Sequence, residues 1–344
     1  MTRRPTVYVV ILNWNGYRDT LACLESVFCS EAVAVKAVVC DNASTDGSLE
    51  YIQRWARGEI EADLPGDARL ERLVGETVRP LGTQCLTRAE AAASVRSEAV
   101  LTLIDNEANL GFAAGNNTGI AYALGQPDMD FVWLLNNDTL VEPGCLAAMV
   151  DRLASEASAA VCGSMIHFFD SPDVIQAIGG NRFNTRTGCA AMSEGRFTHE
   201  SGDIDVAAIE ASLDYLSGCS MLLPRNFLES VGLMNEDYFL YYEEIDWFTR
   251  ASGRFKVCIA AEAVVYHREG AAIGSKSLRA AASTLSDFHM YRSRLTFMRT
   301  YYRQHMATCY LSCLADVTKR VIRGQFRNAW VVLGVLLGKQ EFAG

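Results

Sequence analysis

Residues 6–41 read TVYVVILNWNGYRDTLACLESVFCSEAVAVKAVVCD, and this stretch decides the fold class. It opens with an apolar run of strand length at 6–13, continues with apolar residues at helical spacing over 17–30, and closes with a second apolar run at 33–41. Strands that are apolar on both faces are typical of parallel sheets covered by helices. The stretch therefore predicts a β-α-β unit with two parallel strands.

The same alternation continues further along the chain. It predicts a helix over 44–57, strands at 99–105 and 131–135, and a helix over 114–124 between them. We expect an α/β fold with a mostly parallel central sheet, in which ligands bind at the carboxyl ends of the strands. The predicted strands end in asparagine or aspartate, namely Asn13, Asp41, Asp105 and Asn136–Asp138. We therefore expect the chemistry to lie at this edge of the sheet.

The rest of the chain is less regular. Residues 58–98 are polar and weakly periodic, and we interpret them as an insertion between a helix and a strand. A mixed region follows at 160–235, with its strongest strand predicted at 213–223, and a further strand is predicted at 255–267. Beyond Ser275 the pattern is helical.

The composition is that of an ordinary globular protein, with 50% hydrophobic and 21% charged residues among 344. The net charge of −10 is unevenly distributed, because residues 275–344 carry 11 Lys and Arg against 3 Asp and Glu, whereas residues 1–274 carry 20 against 38. An acidic body lacks the basic surface that nucleic-acid binding requires, so no nucleic-acid partner is expected.

Cysteine usage and hydropathy both favour a cytoplasmic protein. Eleven cysteines are scattered without Cys-x-x-Cys spacing, which predicts reduced thiols. The apolar run at 7–12 is too short for a secretory signal peptide and is interpreted as a strand. The apolar run at 329–338 is about half the length that spans a bilayer, so no transmembrane helix is predicted.

Asp138 and His267 are candidate ligands of a metal ion. Asp138 follows the apolar run FVWLL at 131–135, and Mg²⁺ typically binds one or two carboxylates together with substrate phosphates. His267 ends the predicted strand at 255–267, where an imidazole could complete such a site. The alternatives are a capped turn at Asp138 and a hydrogen-bonded structural histidine at His267.

Asp41 is a candidate nucleotide ligand, because a carboxylate at the end of this strand can accept hydrogen bonds from a base or a ribose. The alternative is a turn in which Asp41, Ser44 and Asp46 bond the backbone and cap the next helix. The glycine-rich turn at 109–119 resembles a phosphate-binding loop, but its spacing is neither that of a dinucleotide-binding loop nor that of a P-loop. Dehydrogenases and P-loop NTPases are therefore disfavoured.

Glu243, Glu244 and Asp246 form a carboxylate cluster that follows the aromatic-rich stretch 238–242. Adjacent carboxylates against aromatic surface raise one pKa by desolvation and mutual repulsion, and this suits a general base at neutral pH. The alternative is a solvated helix N-terminus, where acidic residues favour the helix dipole.

The remaining histidines and the late cysteines are interpreted as structural. His305, Cys309 and Cys313 share one face of a predicted helix, where burial as core thiols is favoured over metal binding or acylation. The other histidines in this class are His167, His199 and His289.

Together these segments resemble the family 2 inverting nucleotide-sugar glycosyltransferases, in particular their rhamnosyltransferase-like branch. The resemblance covers roughly residues 6–275 and its stretches follow the order of the family. They are VVILNWNGY (9–17), VVCDNASTDGS (38–48), NLGFAAGNNTGIAYA (109–123), FVWLLNNDTLVEPG (131–144), YLSGCSMLLPRNFLESVGLMNEDYFLYYEEIDWFTRASG (215–253) and VVYHREGAAIGS (264–275).

The resemblance implies a GT-A fold over 1–275, with a Rossmann-like nucleotide-binding half at 1–140, an acceptor-binding half at 141–275 and a basic helical extension at 276–344. It implies an enzyme that uses Mg²⁺ or Mn²⁺ and a dTDP- or UDP-sugar donor. Rhamnose or a similar deoxysugar would pass with inversion to a hydroxyl of a saccharide or lipid-linked acceptor, in cell-surface polysaccharide biosynthesis.

The resemblance also assigns residues to roles. Asp138 and His267 match the metal ligands, and Glu244 falls where the family has its catalytic base. Glu243 is the alternative base, and Asp246 would orient the acceptor or support the helix. The nucleotide-binding set is Asn13, Asn15, Asp41, Asn42, Asn109, Asn117, Asn136 and Asn137.

Two departures from the family pattern concern this site. Glu244 stands where aspartate is usual, so the base would be one methylene longer. The motif Asn136-Asn137-Asp138 contains a single acid, which holds a metal weakly unless a diphosphate also binds it.

Two other functions remain open. A sugar-phosphate nucleotidyltransferase on a related fold would need a cation in its first loop, and residues 13–16 have none. A non-catalytic nucleotide-sugar-binding or scaffold protein would not need the carboxylates of Glu243 and Glu244 for its function.

The basic amphipathic helices at 276–340 favour the anionic face of a membrane. This predicts a peripheral protein on the cytoplasmic face. The alternatives are that these helices pack on the body or form a homo-oligomer.

Overall fold

A computed structural model of the protein describes residues 3–75, 77–93, 96–156, 159–192, 204–268 and 283–342. The strands are β1 (Thr6–Asn13), β2 (Ala34–Asp41), β3 (Thr83–Thr87), β4 (Leu101–Asp105), β5 (Phe131–Asn136), β6 (Thr139–Val141), β7 (Ala160–Phe168), β8 (Ser171–Ile178), β9 (Gly180–Asn184), β10 (Cys189–Met192), β11 (Tyr215–Leu216), β12 (Ser220–Pro224) and β13 (Lys256–His267). The helices are α1 (Tyr17–Phe28), α2 (Ser48–Ala56), α3 (Ala68–Glu71), α4 (Arg88–Ala93), α5 (Gly111–Leu124), α6 (Cys145–Ala154), α7 (Val206–Ser212), α8 (Arg225–Val231), α9 (Glu243–Ala251), α10 (Thr284–Tyr301), α11 (Met306–Ile322) and α12 (Phe326–Leu336).

The central sheet has the strand order β3-β4-β2-β1-β5-β12-β7-β13-β6, and β8 pairs with β7. Its first five strands are parallel to one another. Strand β12 runs antiparallel between β5 and β7, and β13 returns parallel to β7. A small antiparallel sheet contains β10, β9 and β11. The predicted α/β fold with a mostly parallel, helix-flanked sheet is confirmed.

Alternate residues of β1 enter two different cores, which explains its unbroken apolar sequence. Val9 and Ile11 pack in one cluster with Trp55, whereas Tyr8 and Val10 pack in the other. All five side chains are almost completely buried. Each contributes roughly 1.5–3 kcal/mol for burial of its apolar surface, so the sheet forms the centre of the stable core.

Two predicted helices differ from the structure at their first residue. Helix α2 begins at Ser48 rather than at 44, because Asp46 accepts a hydrogen bond from the Ser48 N–H and Gly47 turns the chain at φ +80°. Helix α5 begins at Gly111 rather than at 114, so the glycine-rich segment belongs to the helix. Both helices nevertheless lie in the segments that the alternation of strand and helix patterns predicted to be helical.

Part of the 58–98 insertion belongs to the central sheet. Strand β3 pairs in parallel with β4 and forms the edge of the sheet. The insertion also covers α1 through Glu25, which is fully buried and accepts hydrogen bonds from the Trp55 indole at 2.7 Å and from the Thr77 N–H at 3.2 Å. The sequence analysis predicted no strand in this insertion, because the short polar sequence of β3 carries little strand signal.

The predicted strand at 213–223 is two strands with a turn between them. Strand β11 pairs with β9 in the small sheet, whereas β12 enters the central sheet. The turn at 217–219 is closed by a hydrogen bond from the Ser220 N–H to the Ser217 carbonyl. Its Cys219 carbonyl accepts a hydrogen bond from the Asn136 N–H at 2.9 Å, so the turn lies against the carboxyl end of β5.

The C-terminal helices pack on the body, as one of the alternatives expected. Phe288, Leu295 and Phe297 of α10 are buried in the core cluster that also contains Trp247 of α9. Helices α11 and α12 form a helical hairpin that contacts α10, partly through an ion pair between Arg320 and Asp287 at 2.6 Å. The predicted boundary at 275 falls outside the described residues.

The eleven cysteines are free thiols, as predicted. Cys309 and Cys313 are buried in the core, which confirms their interpretation. His167 is a buried structural histidine whose Nδ1 lies 2.7 Å from the Pro172 carbonyl, whereas His199 lies outside the described residues. In the described part of the chain, no helix is both long and apolar enough to cross a bilayer.

Candidate active site

The polar ends of the parallel strands lie side by side at one edge of the sheet. Asn13 of β1 is opposite Asp41 of β2, and Asp41 is opposite Asp105 of β4. On the other side of β1, Leu12 is opposite Asn136 of β5. The structure therefore brings together the strand ends that the sequence predicted to form a site.

Asp41 is buried at the end of β2, and the neighbouring loops hold its carboxylate. Oδ1 accepts hydrogen bonds from Asn13 Nδ2 and from the Ser44 hydroxyl, both at 2.6 Å, and Oδ2 accepts one from the Ser44 N–H at 2.8 Å. The turn expected as the alternative is thus present. It leaves only part of the acceptor capacity of Asp41 for a ligand.

Asn15 joins the loop after β1 to the loop after β2. Its backbone N–H donates to the Ser44 hydroxyl at 2.8 Å, and its Oδ1 accepts from the Thr45 N–H at 2.7 Å. Asn15 has φ +51°, a left-handed conformation that asparagine tolerates better than most residues. The two loops form one connected wall beside Asp41.

Asn42 and Asn109 connect this wall to the start of α5. Asn42 Nδ2 donates to the Gly111 carbonyl at 3.0 Å, and Asn109 Oδ1 accepts from the Gly111 N–H at 3.1 Å. Asn106, which the sequence analysis missed, donates to Asn42 Oδ1 at 2.8 Å and is itself buried. Its position directly after Asp105, the last residue of β4, is the signal that could have identified it.

Asn117 contacts a different part of the chain. Its Nδ2 donates to the Met234 carbonyl at 2.9 Å and to Glu236 at 3.0 Å, and its Oδ1 accepts from the Met234 N–H at 3.0 Å. Both ends of this buried amide are therefore used to fix the loop after α8 to helix α5. These contacts give no support to its predicted nucleotide role.

Asn136 and Asn137 point to two sides of the carboxyl edge. Asn137 Nδ2 donates to the Thr20 hydroxyl at 3.1 Å, next to the loop after β1. Asn136 Nδ2 lies 3.3 Å from His267 Nε2. The two amides therefore connect the wall beside Asp41 with the side of the site that contains His267.

Asp138 and His267 face each other across this side of the site. His267, at the end of β13, pairs with Thr139 of β6, which follows Asp138 directly. Asp138 Oδ1 lies 3.2 Å from His267 Nε2. This oxygen is buried and has no aligned hydrogen-bond donor within the described residues. The predicted pair of metal ligands is thus assembled by the fold.

The outer nitrogen of His267 is fixed by Gln176 of β8, which the sequence analysis did not identify. His267 Nδ1 lies 3.0 Å from Gln176 Oε1, and an amide oxygen can only accept, so Nδ1 carries a proton. Burial lowers the pKa of His267, but the Cys219 thiol and the Asp138 carboxylate raise it well above its ordinary value. The position between Nε2 and Asp138 Oδ1 therefore favours positive charge.

These residues fit a divalent cation. A metal-bound histidine typically donates its other ring N–H to an oxygen acceptor, as His267 does to Gln176. Asp138 Oδ1, which accepts no hydrogen bond from the described residues, provides a hard oxygen ligand beside it. No group of three or more His, Cys, Asp and Glu within the described ranges is placed to hold a metal.

Glu243, which is buried, and Glu244, which is half-buried, form an acid pair at the start of α9. Burial and the charge of Glu244 raise the pKa of Glu243 well above its ordinary value. Burial also raises the pKa of Glu244, but helix N–H groups, the Gly218 N–H and Glu243 itself oppose this rise. The pKa of Glu243 is thus raised more strongly than that of Glu244, which makes Glu244 the better candidate for a carboxylate that accepts a proton.

Asp246 supports the helix rather than facing the site. Its Oδ1 accepts from Arg250 Nε at 2.7 Å, and its Oδ2 accepts from the hydroxyls of Tyr301 at 2.9 Å and Tyr238 at 3.4 Å. The residue is 1% exposed. Of the two roles considered for Asp246, these contacts favour support of α9.

The turn at 217–220 lies between the acid pair and the metal-ligand pair. The Gly218 N–H donates to Glu244 Oε1 at 3.2 Å. The carbonyl of the next residue, Cys219, accepts a hydrogen bond from the N–H of Asn136, whose amide lies 3.3 Å from His267 Nε2. Two consecutive residues thus contact the candidate base and the candidate metal site.

Comparison with known proteins identifies part of the chain. Residues 86–205 match the Glycosyl transferase family 2 model. The family 2 match includes the glycine-rich start of α5 and Asp138, whereas Glu244 and His267 lie beyond it.

A curated relative supports the same assignment. The chain is 28% identical over 153 residues to the low-salt glycan biosynthesis hexosyltransferase Agl10 of Haloferax volcanii. The aligned region covers 43% of this chain and 45% of the relative, so the chain spans less than half the length of that protein. The family 2 match and this relative together support a glycosyltransferase.

Solved structures show the same fold at low sequence identity. The mannosyltransferase PcManGT from Pyrobaculum calidifontis, in complex with GDP-Man and Mn²⁺, has a TM-score of 0.51 and 14% identity over 99% of this chain and 77% of its own. GalNAc-T7, with UDP, GalNAc and Mn²⁺, has a TM-score of 0.56 and 12% identity over 90% of this chain and 50% of its own. The family 2 region therefore lies within a GT-A-like fold.

Proposed function

We propose that the protein is a metal-dependent inverting glycosyltransferase that moves a sugar from a nucleoside diphosphate to an acceptor hydroxyl. The observation that carries this proposal is the turn at 217–220. The Gly218 N–H donates to the carboxylate of Glu244, and the Cys219 carbonyl accepts a hydrogen bond from the N–H of Asn136, whose side chain lies 3.3 Å from His267 Nε2. A base and a cation site at adjacent positions are what a single displacement at a sugar carbon requires.

Glu244 acts as the base in this reaction. The acceptor oxygen forms a bond to the anomeric carbon and gives its proton to Glu244, while the bond from that carbon to the diphosphate oxygen breaks. The carbon passes through an oxocarbenium-like state and its configuration inverts. Because burial raises the pKa of Glu244, the carboxylate is a stronger base than one in water.

Asp138 and His267 would hold Mg²⁺ or Mn²⁺ together with the donor diphosphate. The bound ion would neutralise the negative charge that develops on the departing diphosphate. His267 is oriented for this role by Gln176, and Asp138 by its position in the turn between β5 and β6. Removal of either ligand is expected to weaken metal-dependent donor binding.

The connected wall around Asp41 would receive the nucleoside. Asn13, Asn15 and Ser44 already bond to one another there, so the site is preorganised. For the finer identity of the donor we propose a dTDP- or UDP-linked rhamnose or similar deoxysugar, on the resemblance of the motifs. The acceptor would be a saccharide or lipid-linked hydroxyl in polysaccharide biosynthesis, in line with the glycan-biosynthesis name of the relative.

Two alternative functions can be tested by the same measurements of ligand binding and sugar transfer. A nucleotidyltransferase would need a cation in its first loop, and Asn13-Trp14-Asn15-Gly16 supplies none. A non-catalytic binding protein would have no use for the Glu243–Glu244 pair, whose burial costs stability when either group ionises.

The test is ligand binding followed by transfer. Thermal unfolding would be measured with UDP, dTDP and GDP, their sugars and NAD, each with and without Mn²⁺ or Mg²⁺. A ligand at a hundred times its Kd adds about 2.7 kcal/mol of stability. We expect metal-dependent stabilisation by a pyrimidine diphosphate, and transfer that Glu244→Gln abolishes while donor binding persists. Transfer that survives Glu244→Gln would refute the proposal.

A further inference from the structure

Apolar side chains are unusually exposed on the α11–α12 hairpin. Of the ten large hydrophobic side chains with the greatest exposure in the described residues, seven lie between 311 and 337. They are Leu311, Leu314, Val321, Ile322, Phe326, Trp330 and Leu337. Ile322 is 80% exposed and Trp330 is 75% exposed. A concentration of this kind marks a contact surface rather than ordinary scatter.

The helical spacing places these residues on the outward faces of both helices. In α11, Leu311, Leu314 and Ile322 share a face, opposite the buried thiols of Cys309 and Cys313. In α12, Phe326 and Trp330 are one helical turn apart, and the opposite side of that helix is buried through Val332 and Val335. We name this outward apolar surface the hairpin face.

The charges around the hairpin face are mainly positive. Residues 303–342 contain six Lys and Arg against two Asp and Glu. Arg323 and Arg327 lie at the loop between the two helices, are exposed, and have no ion-pair partner within the described residues. One of the two acids, Asp316, is paired with Lys319 at 3.2 Å. The free cations thus border the exposed isoleucine, phenylalanine and tryptophan.

We propose that the hairpin face docks the protein on an anionic lipid surface. Aromatic side chains at the boundary and cations beside them are the features of helices that lie in a membrane interface. A second copy of this chain fits less well, because an isologous dimer through this face would bring like charges together. The docking does not depend on the sugar-transfer reaction.

The hairpin is also fixed rigidly to the catalytic half. Arg320 of α11 and Asn328 beside it both donate to Asp287 of α10, at 2.6 Å and 2.7 Å. At its other end α10 reaches Asp246 of the catalytic helix through Tyr301. A lipid surface bound by the hairpin would therefore be held in a defined position relative to α9.

Vesicle flotation of the full chain tests the proposal. Neutral phosphatidylcholine vesicles would be compared with vesicles that contain phosphatidylglycerol, at low and high salt. We expect binding to the anionic vesicles, weakened by salt. The double variant Phe326→Ser with Trp330→Ser, and separately Arg323→Glu with Arg327→Glu, should each weaken binding at least about tenfold. Thermal unfolding of each variant would verify that the fold is intact.

The matched control is Leu64→Ser with Val78→Ser, which removes two exposed apolar side chains elsewhere and should leave vesicle binding unchanged. Absence of binding to anionic vesicles would overturn the proposal. So would light scattering that shows a dimer which Trp330→Ser converts to a monomer, because the hairpin face would then be covered by a second copy. Donor binding is measured in parallel. It separates failure of the docking proposal from failure of the proposed catalytic function.

Discussion

Substitution of Gly218 by alanine should disable the base without unfolding the protein. A Cβ built at this position would overlap Glu244 Oε1 and lie 3.2 Å from its Cδ. Gly218 does not have a positive φ, so the backbone itself tolerates alanine. The obstruction comes from the end of a flexible side chain, and the Glu244 carboxylate would have to move by about 1 Å to reach ordinary contact distance.

The expected loss is about a hundredfold in kcat, since a displacement of about 1 Å in a reacting group can cost that much. This corresponds to about 2.7 kcal/mol in the activation barrier. The Gly218 N–H would also lose its hydrogen bond to Glu244, which anchors the carboxylate at 3.2 Å. Donor binding should change little, because Asp41, Asp138 and His267 are not displaced.

The assay is release of the nucleoside diphosphate during transfer, with donor affinity measured separately by thermal shift. Gly144→Ala is the matched control, because a Cβ there meets nothing within 4 Å and its φ is −82°. Glu244→Gln provides the reference for a lost base. If Gly218→Ala kept a kcat within threefold of the parent protein while Glu244→Gln lost activity, the inferred position of the base would be refuted.

Four further substitutions test other contacts in and around the site. Glu243→Gln should flatten the dependence of stability on pH. In the parent protein the folded state keeps the Glu243 proton above the ordinary carboxyl pKa, whereas the unfolded chain releases it. The stability of the parent protein therefore falls as pH rises, by at most about 1.4 kcal/mol per pH unit. Melting curves of parent and variant from pH 5 to 8 check this, and parallel curves would contradict it. Asp138→Asn or His267→Gln should abolish the Mn²⁺-dependent part of the thermal shift by the donor, and a shift equal to that of the parent protein would exclude these residues as ligands. Tyr301→Phe should lower stability by about 1 kcal/mol through the lost bond to Asp246, measured by denaturant unfolding, and an unchanged midpoint would contradict that contribution.

The central sheet could be predicted because its signals are local. The apolar runs of β1, β2 and β5 and the helical spacing between them lie within short windows of sequence. Their polar ends were placed at one edge by a general rule for parallel sheets. Strand β3 was missed because an edge strand has little need for apolar residues.

The arrangement inside the site was harder to predict, because it depends on contacts between distant segments. Gln176 reaches His267 from 91 residues away in sequence, and nothing in its surroundings marks it. Asn117 is a second example of a distant contact. It lies in a motif-like stretch, which suggested a nucleotide ligand, but its amide bonds to the backbone of Met234. The assignment between Glu243 and Glu244 likewise required the Gly218 N–H, which only the folded turn brings into contact.

The link from Asp246 to Tyr301 also concerns how this protein could be divided or recombined. A hydroxyl of α10 completes the hydrogen bonding of a buried carboxylate in α9, and Phe297 of α10 fills the same core. A chimera joined to a foreign C-terminal region before α10 would remove one hydrogen-bond donor from that carboxylate and leave a void beside α9. A chimera that exchanges acceptor-binding segments between related proteins should therefore transfer α9 and α10 together.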